Sequence, residues 1–164
     1  MSVRIITYEG RAVFGAEIGD DLDRTPRPPM SVARPARILL VDDEPDNREV
    51  LKLFLAWEGF VISEAGSGSE ALAMVAEQVP DLILLDVMMP VMTGYELLAR
   101  LKGDPAMSDT PVMMVSALTD SGAKDLALSG GAVDFLSKPV TRDEVVQGVR
   151  NILRRTFAGY RESE

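Results

Sequence analysis

The chain has 164 residues, 46% of them hydrophobic, and a formal net charge of −9. This is an ordinary globular composition that suits one domain with a tail. With no cysteine and no histidine, disulfides, thiol chemistry and any histidine base, ligand or phosphate carrier within the chain are excluded. The charge is uneven: residues 1–35 carry five arginines against five acids, so the remainder holds the whole negative balance. It repels nucleic acid phosphates, and no direct nucleic acid contact is expected.

Residues 1–35 read differently from the rest. Val3 to Tyr8 and Ala12 to Phe14 flank Glu9-Gly10-Arg11, a weak hairpin signal. Asp20-Asp21-Leu22-Asp23 and Pro26-Arg27-Pro28-Pro29 read as a linker. Met30-Ser31-Val32 repeats Met1-Ser2-Val3, which admits either coincidence or a translation start at Met30. The segment is expected to be mobile or loosely docked. A domain over 36–157 is expected to follow, with 158–164 as a tail.

From Pro35 onward strands and helices alternate. A strand over about 36–41 leads to a helix over about 46–58, with Val50, Leu51, Phe54, Leu55 and Trp57 at helical spacing. Gly59 closes that helix, and Phe60 to Ser63 form a short strand. Ser67–Ser69 offer N-caps for a helix to about Gln78, with Ala71, Leu72, Val75 and Val79 inward. The strand 82–85 follows. Thr93 or Gly94 then begins a helix through Leu101, and a polar connection from Gly103 leads to the strand 112–115. A fourth helix spans about 120–129 and ends at Gly130-Gly131. A last strand closes near Leu136, followed by a helix over about 142–155. Five βα units in series imply a doubly wound α/β fold of the flavodoxin-like kind. The sheet is expected to be five-stranded and parallel, in the order 2-1-3-4-5, with helices on both faces. The longest apolar runs are broken by Asp86 and by prolines, so no membrane-spanning helix fits. No signal peptide is visible, and the cytoplasm is the expected compartment.

Three short apolar runs end abruptly in charge: Ile38 to Val41 before Asp42 and Asp43, Leu82 to Leu85 before Asp86, and the run to Leu136 before Lys138. In open α/β sheets ligands bind outside the carboxyl ends of the strands, where the strand order reverses. Two adjacent aspartates alone read as a helix-entry turn. Asp86 changes that balance, because a carboxylate at the end of an apolar strand is costly without a partner. Hard oxygen ligands of this kind suit Mg²⁺, and a carboxylate beside such a metal suits phosphoryl transfer. Lys138, followed by Pro139, can bend back over the site as a donor to phosphate oxygens. Ser116 ends a strand and reads equally as an N-cap or as a hydroxyl facing a phosphoryl oxygen.

Val41-Asp42-Asp43-Glu44-Pro45, Asp86-Val87-Met88-Met89-Pro90, Ser116-Ala117 and Lys138-Pro139 together resemble the receiver domain of bacterial two-component response regulators, chemotaxis regulators among them. The resemblance covers residues 36–155. It implies Asp86 as phosphoacceptor, Asp43, Asp86 and the backbone carbonyl of Met88 as Mg²⁺ ligands, and Asp42 acting through water. Lys138 and Ser116 would contact the phosphoryl group. Ser116 and Phe135, the aromatic three residues before Lys138, would form the switch. Met88 and Leu118 stand where the family tunes phosphate lifetime. The surface of the fourth helix, fifth strand and fifth helix would carry the change outward.

The implied partners are a sensor histidine kinase or histidine phosphotransfer protein and a downstream protein effector, with a homodimer left open. Because only Phe157 to Glu164 follow the last helix, the expected role is a stand-alone regulator. The alternatives are a phosphorelay intermediate or a receiver cut from a larger regulator such as a diguanylate cyclase. Two rival classes fit less well. An aspartate-nucleophile phosphohydrolase needs a second acid where Met88 stands. A flavin carrier needs a Ser/Thr/Gly-rich phosphate loop where Asp42-Asp43-Glu44-Pro45 stands.

Overall fold

A computed structural model describes residues 34–118 and 121–157, residue 121 by its backbone alone, together with the backbone of residues 5–8 and 11–14. The expected linker, the alternative start at Met30 and the tail 158–164 lie outside the described residues. Five strands, β1 (Arg37–Val41), β2 (Val61–Ala65), β3 (Leu82–Leu85), β4 (Val112–Ser116) and β5 (Asp134–Ser137), alternate with five helices. These are α1 (Pro45–Leu55), α2 (Gly68–Glu77), α3 (Gly94–Gly103), α4 (Ser121–Ser129) and α5 (Arg142–Thr156). The sheet runs β2-β1-β3-β4-β5 and is parallel throughout, the order expected from the βα repeat. Separately, Ile5–Tyr8 and Arg11–Phe14 pair antiparallel, Ile5 opposite Phe14 and Tyr8 opposite Arg11.

The two-residue period of a strand sorts the core into two layers. Leu39, Val41, Ile83, Leu85, Val112 and Met114 face α2, α3 and α4, meeting Ala71, Val75, Leu97, Leu98, Leu101 and Ala127. The alternate residues Ile38, Leu40, Leu82, Leu84, Met113 and Val115 face α1 and α5, meeting Leu51, Leu55, Val145, Val149, Ile152 and Leu153. Both faces of β1, β3 and β4 are therefore buried, which is why these strands read as apolar runs rather than as alternations.

Local signals fix the helix starts. Ser67 Oγ accepts from Glu70 N–H at 3.1 Å, Thr93 and Glu96 form a reciprocal capping box, and Thr141 and Glu144 repeat it. Gly59 takes φ +76° after α1, and Gly131 takes φ +103° after α4. α1 ends at Leu55 rather than near 58. Val50 and Trp57, which share its periodic spacing, are exposed; only the Leu51–Leu55 side faces the sheet, and Trp57 lies in the turn beyond the helix. Arg34, expected in the linker, donates to both carboxylate oxygens of the fully buried Asp81 at 2.8 and 3.1 Å. No described helix is long and apolar enough to cross a membrane.

Candidate functional site

Register brings the charged strand ends together. Val41 lies opposite Leu85 in the parallel pair of β1 and β3, so Asp42 and Asp86, each the next residue, emerge side by side. Asp86 N–H donates to the Val41 carbonyl at 2.9 Å. On the far side Ser116 pairs with Ser137, and Lys138 N–H donates to the Ser116 carbonyl at 2.8 Å. Four separate βα turns thus meet at the carboxyl edge of the sheet, two of them at the β1/β3 position where the strand order reverses. The Lys138-Pro139 peptide is cis.

One carboxylate oxygen from each of Asp42, Asp43 and Asp86 lies within 4.8 Å of the others. Lys138 Nζ donates to Asp42 Oδ2 at 2.9 Å and stands 3.8 Å from Asp86 Oδ2. Its resting partner is therefore Asp42 more than Asp86. Asp42 is buried, and its other oxygen accepts from Glu44 N–H at 2.9 Å. Asp86 is 7% exposed, and its Oδ1 is buried with no hydrogen-bond donor among the described residues. Burial is the largest cause raising the Asp86 pKa above the ordinary carboxylate value. The Asp42 and Asp43 charges add to it, against the opposing pull of Lys138 and the Met88 backbone. A buried carboxylate with a bare oxygen, two like charges and one cation that it shares is a preformed place for a further positive charge.

Ser116 is fully buried. Its hydroxyl accepts from Leu118 N–H at 3.4 Å, so the turn-capping contact is present but long. Phe135 is buried in the layer against α4, opposite Met114 in the sheet. The side chain of Met88 is exposed, and Met88 and Leu118 line one open apolar cavity of about 440 Å³ with Val87, Pro90, Thr93 and Tyr95.

Three supporting residues were not singled out for their contacts by sequence reasoning. Arg48 reaches back from α1 to the Asp42 carbonyl and holds Glu64 at 3.2 Å, tying the acid turn to β2. Its sequence signal was an arginine one turn into a helix that opens directly after three acids. Gly94 N–H donates to the Val87 carbonyl at 2.9 Å, and a Cβ at this position would sit 2.2 Å from the Asp86 carbonyl oxygen. Only glycine lets α3 approach the acid loop so closely. Val91, in the same loop, takes φ +68°, a left-handed conformation that a β-branched residue adopts only under strain.

The response regulator receiver domain family matches residues 38–150. Response regulator PleD of Caulobacter vibrioides is 43% identical over 119 residues, which is 73% of this chain and 26% of that protein. The DNA-binding response regulator MtrA of Mycolicibacterium smegmatis is 44% identical over 119 residues, 73% of this chain and 51% of that protein. The chain thus matches between a quarter and a half of the length of these two relatives. Among solved structures, chemotaxis protein CheY4 of Vibrio cholerae superposes with a TM-score of 0.69 at 29% identity, covering 73% of this chain and 99% of that one. The receiver domain of NtrX from Brucella abortus gives 0.67 at 30%, covering 71% and 98%.

Proposed function

The chain belongs to the family of response regulator receiver domains, and on that premise we propose that Asp86 accepts a phosphoryl group from a phosphohistidine in a partner protein. An oxygen of the Asp86 carboxylate attacks phosphorus, the P–N bond to the donor imidazole breaks, and an aspartyl phosphate forms while the imidazole leaves. The observation that carries this reading is the bare, buried Oδ1 of Asp86 among Asp42, Asp43 and Lys138.

The donor set also fits a divalent ion: three carboxylates whose oxygens lie within 4.8 Å, one of them unpartnered. Asp43, Asp86 and the Met88 backbone carbonyl would hold Mg²⁺, with Asp42 acting through water. When bound, the ion supplies positive charge against the phosphoryl oxygens. Lys138 then exchanges its Asp42 partner for the phosphoryl group, and Ser116 turns its hydroxyl toward the same group. Phe135 follows into the space vacated. The added charge, about −1.5 to −2 at neutral pH, biases a two-state equilibrium whose readout is the α4-β5-α5 surface. The protein is a switch rather than a turnover enzyme. Its partners are a sensor histidine kinase or histidine phosphotransfer protein and a protein effector, in the cytoplasm.

Met88 and Leu118 present only apolar surface beside Asp86. They hinder a water approaching in line, and the phosphate is long-lived; a half-life of seconds or less contradicts this. A phosphorelay intermediate, or a receiver joined to a further domain, is distinguished by the mass of the native gene product and by phosphotransfer onward to a second histidine protein.

The decisive experiment is labelling by a small phosphodonor with and without magnesium. The parent chain labels in magnesium and not in chelator, Asp86→Asn does not label, and Asp43→Asn needs more magnesium. Equal labelling of Asp86→Asn ends this assignment.

A further inference from the structure

An apolar stripe lies on the outer side of α1. Val50, Leu53 and Trp57 follow one another at intervals of three and four residues. Their exposures are 45%, 62% and 89%. Leu51 and Leu55, on the opposite side of the helix, are buried against the sheet. A helix covered on one side needs only one apolar face; this one has two.

We propose that the N-terminal hairpin, Ile5–Tyr8 with Arg11–Phe14, packs on this stripe, the chain covering its own α1. The hairpin register sets Ile5 opposite Phe14 and Ile6 opposite Val13. All four of these residues are apolar. An isolated two-stranded hairpin of this length is marginal in water and needs a surface to pack on.

The place where the N-terminal segment joins the domain points to the same surface. Arg34 is pinned by Asp81, and the Ala36 carbonyl accepts the Val61 N–H at 2.9 Å. The segment therefore enters the domain beside the start of β2, just after the turn that carries Trp57. The twenty steps from Phe14 to Arg34 reach at most about 70 Å, ample for a helix about 16 Å long. Such a tether gives an effective concentration of order millimolar.

A second copy fits the stripe less well. Three side chains offer a few hundred Å² at most, short of the roughly 800 Å² per partner of a stable dimer, whereas a tethered segment avoids much of the entropic penalty of association. The stripe runs toward the end of α1 away from Asp42 and Asp43, so docking there leaves Asp86 open.

Trp57 is the single tryptophan of the chain and reports directly on its cover. In the full chain, replacing Ile5, Ile6, Val13 and Phe14 together by aspartate should shift Trp57 emission to the red. A docked fraction above one half in the parent corresponds to at least about twofold stronger acrylamide quenching in the variant. From the other side, Leu53→Asp should speed amide hydrogen exchange of residues 5–14. Both readouts are independent of magnesium and of the phosphoryl reading. Equal quenching in parent and variant with unchanged exchange overturns the proposal. So does protection of Trp57 that grows with protein concentration, which would assign the stripe to a second copy.

Discussion

Removing the Asp86 charge should stabilise the metal-free protein, because the acid pocket is assembled against its own electrostatics. Asp42, Asp43 and Asp86 approach within 4.8 Å. At an effective dielectric of about 20, each ionised pair at that separation repels by about 3.5 kcal/mol. Asp86 faces two such charges, while Lys138 at 3.8 Å returns about 4.4 kcal/mol. The balance is about 2.5 kcal/mol against ionised Asp86, before its burial is counted. Partial exposure of Asp43 lets solvent screen some of this, leaving roughly 1–2 kcal/mol.

Asp86→Asn keeps the shape and removes the charge. In excess EDTA near neutral pH it should melt about 4–8 °C above the parent. Excess magnesium should raise the parent strongly, by about 2.7 kcal/mol at a hundred times its dissociation constant, and the variant much less, so the gap closes or reverses. The pH dependence has a fixed sign. The folded pKa of Asp86 is raised, chiefly by burial, so stability from its protonated form is complete below the unfolded value. That stability is lost as pH rises through the folded value. The advantage of Asp86→Asn should therefore fade on acidification. Thermal unfolding across pH, with and without the ion, measures all of this. An Asn variant no more stable than the parent in chelator, or an equal magnesium response in both, would refute the reasoning.

Three further predictions concern the frame of the site. Arg34→Ala takes the guanidinium from fully buried Asp81 and should cost about 3 kcal/mol in urea unfolding, with Arg34→Lys recovering part. Gly94→Ala places a Cβ 2.2 Å from the Asp86 carbonyl oxygen. It should lower stability by about 2 kcal/mol and slow phosphoryl labelling, since the loop bearing Asp86 has to yield. Val91→Gly releases a β-branched residue from φ +68° and should add about 1 kcal/mol, seen as a higher denaturant midpoint with unchanged slope.

The sequence by itself determined the order of elements and the places where charge meets apolar strand. Strands buried on both faces must be apolar throughout, so Ile38 to Val41 and Leu82 to Leu85 announce themselves, and Asp42, Asp43 and Asp86 stand out as the first charged residues after them, which need partners there. The caps at Ser67 and Thr93 were legible because they are local: each acts within three residues of itself. The tertiary structure decided what depends on partners distant in the chain. Register alone sets Asp86 beside Asp42 and leaves its Oδ1 bare. Lys138 leans on Asp42 because a fifth strand ends close by, and Gly94 has to be glycine because α3 crosses the Asp86 carbonyl. The α1 pattern misled for the same reason. Periodicity shows that a helix has an apolar side but not which side meets the sheet, and only packing turned Leu51 and Leu55 inward while Val50, Leu53 and Trp57 faced away from the sheet.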